Sequence, residues 1–321
     1  MGDVMIDAYM WGVVRRVSPE APVPVVEIER RERRVGGAGN VVKNLDSLGA
    51  QVDVIALVGD DEAGSHLQDL LAGMSTPHLL QDPGRPTTVK TRVISNGQHV
   101  VRVDEESTDV MADWLQTQAL DHLQALLHGN ARPDVVILED YDKGFFSESL
   151  IEHVVAACNA MDVPVAVDPK LRHFLSYKQV DLFKPNLKEL NEGLGLARHV
   201  SPESRDDMAQ AVEALMAQLK CERLMVTMGE HGVWMHAPNE GVVHATIPAV
   251  PREVTDVSGA GDTVIAVAAL MLAAGSNPEN IAIVSNLAGG WVCERVGVVP
   301  ISRTSLESEL GRLNLNHTVQ S

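Results

Sequence analysis

Cysteine is scarce. Cys158, Cys221 and Cys293 lie far apart, are odd in number and form no C-x-x-C pair. That excludes a disulfide framework and fits a reducing, cytosolic setting. Positive charge is short as well: 26 Lys and Arg stand against 44 Asp and Glu, a formal net charge of −18. Such a chain is a poor footprint for a nucleic-acid partner, and an anionic substrate must find local cations on it. Long apolar runs are missing. The longest, residues 264–274, falls well short of the roughly 20 residues of a membrane span and reads as a helix buried on all sides. The N-terminal MGDVMIDAYMWG has no basic region leading into a long apolar core, so no signal peptide is expected. Repeats and low-complexity tracts are absent. So are a G-x-x-x-x-G-K-[ST] loop, the protein-kinase H-R-D and D-F-G, a G-x-S-x-G elbow and H-E-x-x-H. The 12 histidines are scattered, which argues against a transition-metal site.

What is present points to a folded α/β protein. Hydrophobic residues make up 45% of 321, too many for a disordered chain. Short β-branched runs at 52–58, 135–138, 163–167 and 224–227 alternate with longer helical patterns. Each run ends in polar or Gly-rich residues: GDDEAG, EDYDKG, DPK and TMGEHG. This alternation predicts a mostly parallel sheet with helices on both faces, and functional groups at the carboxyl ends of its strands. Ser201-Pro202 predicts a helix start, with Met208, Val212, Leu215, Met216 and Leu219 at helical spacing. Val41, Val42, Leu45 and Leu48 predict a second helix, ended by Gly49. Residues 23–28 and the pair 87–93 and 100–103, joined across Asn96-Gly97, are strands without intervening helices. They read as a small sheet projecting from the body as a lid or interface, or else as edge strands of the main sheet.

Four segments carry chemistry. In Asp256-Val257-Ser258-Gly259-Ala260-Gly261-Asp262-Thr263, small residues at 259–261 allow close backbone approach, and the helix that follows presents unpaired N–H groups to an anion. Asp262 repels a merely bound phosphate, but makes sense as the acceptor of a proton from a hydroxyl attacking that phosphate. The plainer alternative is a carboxylate favouring the helix dipole. Asn186 and Glu189, three apart, could hold a hydrated Mg²⁺ with Lys188 meeting a phosphate, or could simply start a helix. Thr227, Gly229 and Gly232 follow a strand and suit either a nucleotide or an ordinary turn. Asp7, with Gly36, Gly37 and Asn40, suits a polyhydroxy ligand. As a dinucleotide fingerprint that glycine group is weak.

In this order and spacing, the motifs resemble the ribokinase-like (PfkB) carbohydrate kinases over essentially the whole chain. The resemblance implies one domain over 1–321, a three-layer α/β/α fold, and lid strands at about 20–35 and 87–104. It implies ATP and Mg²⁺, with K⁺ as a further cofactor. Asp262 becomes the base, and the N–H groups of Gly259, Ala260 and Gly261 stabilise the transferring phosphoryl. Asn186 and Glu189 organise Mg²⁺, with Lys188, Thr227, Gly229, Gly232 and Asn286 at ATP. Asp256 and backbone near 295–297 take the monovalent cation, and Asp7, Gly36, Gly37 and Asn40 hold the sugar. Finer agreement, through RVSPEAPVPVVEIE, GGAGNVVKNLDSLGA, DYDKG and REVTDVSGAGDTVIA, is with members that phosphorylate the anomeric hydroxyl of a sugar 7-phosphate. The cations expected at that phosphate are Lys90 and Arg92, on one strand face, and Arg102. Lys170 and Lys143 are further candidates, with Asp142 at a sugar hydroxyl. The partners implied are the sugar phosphate and ATP, with no membrane, and a homodimer through the lid strands. The first strand begins several residues later than in the family, and the chain ends soon after the last motif, as in a stand-alone kinase. The alternatives are a fructose- or ribose-type kinase of the same family and a catalytically silent nucleotide- or sugar-binding homologue.

Overall fold

In the computed structural model, which describes residues 1–196 and 199–319, the chain opens with β1 (Val4–Val17), β2 (Pro24–Gly37), α1 (Ala38–Ser47), β3 (Asp53–Gly59), α2 (Glu62–Ala72) and β4 (Thr76–Asp82). There follow β5 (Val89–Ser95), β6 (Gln98–Glu105), α3 (Asp113–Leu127), β7 (Val136–Glu139), α4 (Glu148–Ala160), β8 (Val165–Asp168) and β9 (Leu182–Phe183). The remainder is α5 (Leu187–Gly193), α6 (Arg205–Leu219), β10 (Arg223–Thr227), β11 (Val233–Ala237), β12 (Val242–Ile247), α7 (Ala260–Ala273), α8 (Pro278–Cys293) and α9 (Arg303–Val319).

Period-2 alternation sets the layers. Side chains of successive strand residues leave opposite faces. Leu138, Val165, Val167, Leu224 and Val226 pack with α3, α4 and α6. Their neighbours Ala166 and Met225 pack with α1, α7 and α8 on the other side. Both faces are therefore covered, which is why these strands read as unbroken apolar runs. The apolar stretch at 264–274 becomes most of α7, whose residues 262–269 are all buried.

The main sheet departs from the expected single sheet. Six strands run β12-β11-β10-β9-β8-β7, and β3-β4 stands apart as a pair. Among the described residues, two isolated bridges link the halves: Gly2 pairs in parallel with Ala56 of β3 and with Glu139 of β7.

The second sheet has the order β2-β1-β5-β6. Residues 20–35 fall largely in β2, and residues 87–104 in β5 and β6. The sequence reading leaves β1 out of this sheet, where it is an inner strand pairing antiparallel with β2 and parallel with β5. Asn96 and Gly97 turn the β5–β6 hairpin with positive φ of 51° and 76°, as a two-residue Asn-Gly loop requires. One further boundary moves. Ser201-Pro202 forms a turn, and α6 begins later, after Ser204.

Candidate active site

The carboxyl ends of β7, β8, β9 and β10 deliver Glu139, Asp168, Lys184 and Thr227 to one edge of the sheet, and α7 starts above them. Asp262, in the first turn of α7, is buried. Its Oδ2 accepts from Asn40 Nδ2 and its Oδ1 from the Tyr141 hydroxyl, each at 2.6 Å. Burial pushes the Asp262 carboxyl above its ordinary range, while the Tyr141 and Asn40 donors act in the opposite sense. Burial, and then the nearby Asp262 carboxylate, raise the Tyr141 hydroxyl well above its usual value. Tyr141 therefore stays protonated and donates. The outcome is a fixed carboxylate with both oxygens oriented, suited to accepting one proton from a hydroxyl in front of it.

Tyr141 has its own support. Asp3 lies just ahead of β1, and its carboxylate accepts from the main-chain N–H groups of Tyr141 (2.8 Å), Lys143 and Phe145 (both 3.1 Å). Burial and the Asp140 charge push Asp3 up to about 6, against these three donors. Sequence reasoning gave no role to Tyr141, which lies inside DYDKG, or to Asp3.

Beneath α7, Glu139, Asp168 and Asp262 place carboxylate oxygens within 4.8 Å of one another. Lys184 Nζ lies 2.7 Å from Asp168 Oδ2. Both Glu139 oxygens are buried without a hydrogen-bond partner. Burial, then the charges of Asp168 and Asp262, hold Glu139 well above the carboxylate range. A Cβ on Gly261 would come within 3.7 Å of Asp168 Oδ2 and 3.9 Å of Lys184 Nζ, so these groups lie directly under the start of α7. A Cβ on Gly259 would sit 2.7 Å from Asn40 Nδ2, which explains a glycine there.

The Asn186 and Glu189 pair behaves differently from the metal-holding expectation. Asn186 caps α5: its Oδ1 accepts from Glu189 N at 2.8 Å, and Glu189 Oε2 accepts from Asn186 N at 2.9 Å. This is a reciprocal capping box. Glu189 Oε1 receives Lys170 Nζ at 2.8 Å. Burial lowers Lys170, but Asp168 and Glu189 outweigh it and hold the ammonium above its usual range. Lys188 points outward, 78% exposed, with Glu192 3.8 Å away. It is a helix-surface residue because α5 turns its side chain away from the site.

Thr227, Gly229, Gly232 and Asn286 do come together, with Ala260 and Gly261, around a cavity of about 550 Å³ whose walls include Val250, Val257 and Val264. Asn286 donates to the Pro248 carbonyl at 2.9 Å. An apolar cleft ending at a helix start suits a base at one end and phosphates at the other. Partial burial opposes ionisation of Asp256, but main-chain donors from Ser258 and Gly297, each at 2.9 Å, hold its carboxyl below the usual range.

On the other side of Asp262, Asp7 is ion-paired with Arg92, and Gly36 packs so closely on Asp7 that a side chain would collide with its carboxylate. The remaining expected cations are already neutralised. Lys90 meets Asp104 (3.2 Å) and Glu106 (2.7 Å), Lys143 meets Glu106 (2.9 Å), and Arg102, 61% exposed, meets Asp104 (3.0 Å). Asp142 adopts a positive φ of 55° and leaves Oδ1 buried without a partner. The charged 30–34 stretch finds aromatic faces: Arg30 lies 3.7 Å over Trp11 and Arg34 5.3 Å from the Tyr9 ring centre.

A model of the pfkB family carbohydrate kinases matches residues 1–304. The chain belongs to the pfkB family of carbohydrate kinases. It is 39% identical over 313 residues to the bifunctional protein HldE of Geotalea uraniireducens and 41% identical over 317 residues to that of Azorhizobium caulinodans. Each match covers 97% of this chain but only 62% and 64% of those proteins. Among solved structures, phosphofructokinase-2 of Escherichia coli in complex with potassium superposes with a TM-score of 0.78 at 17% identity, covering 97% of both chains. Arabidopsis thaliana ribokinase, complexed with ribose and ATP, gives 0.70 at 19%, covering 96% of both. At such identities the likeness shows the fold, which is ribokinase-like. It is the family match, over residues 1–304, that makes the chain a carbohydrate kinase. Among the described residues, no helix is long and apolar enough to cross a membrane.

Proposed function

We propose that this kinase transfers the γ-phosphoryl of ATP to O1 of D-glycero-β-D-manno-heptose 7-phosphate, giving the 1,7-bisphosphate used for ADP-heptose and lipopolysaccharide core. The supporting observation for the chemistry is the buried Asp262 carboxylate, oriented by Asn40 and Tyr141 at the start of α7. Support for the substrate is the 39–41% identity to HldE proteins across 97% of the chain. The sugar lies against Asp7, Gly36, Gly37 and Asn40, and the nucleotide in the cleft lined by Thr227, Gly229, Gly232 and Asn286. O1 attacks the γ-phosphorus in line, its proton passes to Asp262, and ADP leaves. The N–H groups of residues 259–261 meet the charge on the phosphoryl oxygens.

Mg²⁺ bound with ATP neutralises phosphate charge. The unpartnered Glu139 oxygens beside Asp168 offer the hard oxygen donors it prefers. Glu189, fixed by Asn186, acts one step back by holding Lys170. A monovalent cation belongs beside the loop that Asp256 ties to Gly297. Arg92 is the cation nearest the sugar side, and the second sheet closes over the sugar to exclude water. Exposed Val14, Ile28, Val101 and Val103 on that sheet suit pairing of two copies across it.

The test is a panel of the heptose 7-phosphate, sedoheptulose 7-phosphate, fructose 6-phosphate, ribose and fructose with ATP, Mg²⁺ and K⁺. ADP release is followed, and the product identified by phosphorus NMR. Selective formation of the 1,7-bisphosphate is expected. Preference for another sugar keeps the chemistry and overturns the substrate, and ATP binding without turnover on any of them indicates a silent homologue. Arg92→Gln should raise KM for the sugar phosphate by about 10- to 100-fold, the worth of one charge-assisted hydrogen bond. An unchanged KM removes Arg92 from the sugar site. Tyr141→Phe should lower kcat by about tenfold through loss of one orienting hydrogen bond. Its hydroxyl favours the ionised form of Asp262, so its removal raises that carboxyl and moves the acid limb of the kcat/KM profile to higher pH. A limb that stays in place would sever Tyr141 from the base.

A further inference from the structure

One wall of the 550 Å³ cleft is a stretch without regular structure, between β12 and α7. Val250, Pro251, Arg252, Val254 and Val257 of this stretch line the cavity. Its two ends are stitched to α8. Asn286 Nδ2 donates to the Pro248 carbonyl at 2.9 Å. The main-chain N–H groups of Thr255 and Asp256 donate to the Cys293 carbonyl at 2.8 and 3.1 Å. Between those points, among the described residues, Arg252 supplies the hydrogen bonds that hold the stretch. Its side chain lies along α8 where Gly290 leaves room: a Cβ on that glycine would come within 3.2 Å of Arg252 Nε. The guanidinium forks. One terminal nitrogen meets Glu294 Oε2 at 2.9 Å, just past α8, and the other pairs with Glu309 of α9.

The Arg252–Glu309 pair is out of water, with only 8% of either side chain exposed. A buried ion pair carries a desolvation penalty, and removing one partner leaves an uncompensated charge. The second Glu309 oxygen accepts from the exposed Arg312 at 2.6 Å. Glu309 itself lies outside the lining of the cleft. The apolar docking of α9 is thin. Over residues 303–312, Leu306 and Leu310 join the cluster built on Val284, Ala288 and Val292 of α8, and Glu309 shares their face by helical spacing. One side chain thus ties three elements at a point: the cleft wall, the end of α8 and the outer helix.

We propose that Arg252 is a positioning residue for the nucleotide, set from α9: its pair with Glu309 holds the cleft wall in the shape that ATP meets, so a carboxylate that touches no ligand governs nucleotide affinity. This rests on the reading that ATP lies in this cleft. The apolar wall residues make no directional bond of their own, and Val254 and Val257 are mostly exposed. Freed from Arg252, the stretch keeps only its stitched ends, and ordering it again on binding costs conformational entropy. That cost falls on binding rather than on the chemical step, because Asp262 is oriented independently by Asn40 and Tyr141. The coupling is reciprocal: ATP that orders the wall also strengthens the docking of α9.

The experiment uses the full chain and ATP. Glu309→Gln keeps the size of the side chain and removes its charge. KM for ATP, and the ATP Kd by calorimetry, should rise about five- to tenfold, since Glu294 retains part of the hold on a charge-assisted fork. kcat should stay within about twofold. Arg252→Gln should raise KM at least as much, and the double variant no more than Arg252→Gln alone, as for two residues acting as a pair. Glu307→Gln, which breaks the exposed Arg303–Glu307 pair on the same helix, should change neither constant. Amide hydrogen exchange supplies the reciprocal readout: ATP should slow exchange in α9 of the unaltered chain by about threefold or more, and Glu309→Gln should abolish that protection. If ATP protects residues 249–258 but Glu309→Gln leaves its KM unchanged, the coupling is overturned and the cleft stands. If ATP binds without protecting 249–258, the placement of the nucleotide falls and the proposal with it. A fall in kcat at unchanged KM, or additive effects of the two substitutions, also overturns it. Should Glu309→Gln not fold, Arg252→Lys keeps the charge and loses the fork. The same rise in KM then supports the clamp, and an unchanged KM overturns it.

Discussion

Asp262→Asn is expected to lower kcat about 10³-fold while leaving ATP affinity within a factor of two or so. The substitution keeps shape and removes the proton acceptor. One neighbour adjusts to it: the new amide can still accept from Tyr141, and its NH₂ would face Asn40 Nδ2. Asn40 can turn its amide over, because its Oδ1 is buried without a partner and gains a donor in doing so. The fold should therefore survive, and the loss be confined to the chemical step. Single-turnover kinetics and calorimetry with ATP separate the two. Near-normal turnover would show that the hydroxyl proton goes elsewhere.

The second large effect is on stability. Lys184 is 2% exposed, and its ammonium sits 2.7 Å from Asp168 within reach of Glu139 and Asp262. Lys184→Met leaves Asp168 buried without that partner, a change that typically costs about 3–5 kcal/mol. Urea unfolding should report it as a lower midpoint at unchanged slope. The loss should depend on pH with a definite sign. Glu139 and Asp262 are already held above their unfolded values, and removing a nearby cation raises them further. Groups raised in the folded state bind more protons there, so stability falls as pH rises past their unfolded values. The penalty of Lys184→Met is thus expected to be smaller at pH 5 than at pH 8. Adding Asp168→Asn should recover part of it. A flat profile with no recovery would show that packing, not charge, was lost.

The layered body is legible in the chain because each face of a parallel strand leaves a local trace. Residues 136–138, 165–167 and 224–226 show it, and so does the uniformly apolar stretch that becomes α7. The signature at 256–263 is legible for the same reason: small residues, a helix start and an acid are neighbours in sequence. Tyr141 is not, since it meets Asp262 across 121 positions and nothing near it marks the contact. Lys188 misleads because the capping box fixes the phase of α5, and one position in a seven-residue helix decides whether a side chain faces the cleft or water. Lys90 meets carboxylates on the neighbouring strand and the segment after it, a contact with no local trace, whereas Arg102 meets Asp104 two positions further along its own strand.

β1 has a mechanical consequence. Fourteen residues long, it is buried at one end and half-exposed to exposed at the other, so it works as a cantilever rather than a tether. Loops let an attached sheet swing freely; a continuous strand transmits bending moment. Compliance is then concentrated where the ladder slips, between Trp11 and Gly12 and between Val14 and Arg16, since a bulge is the place where a ribbon bends. Past those points the tip moves easily. Nearer the body Asp7 is buried and paired with Arg92, so bending at the bulges is taken up beyond it.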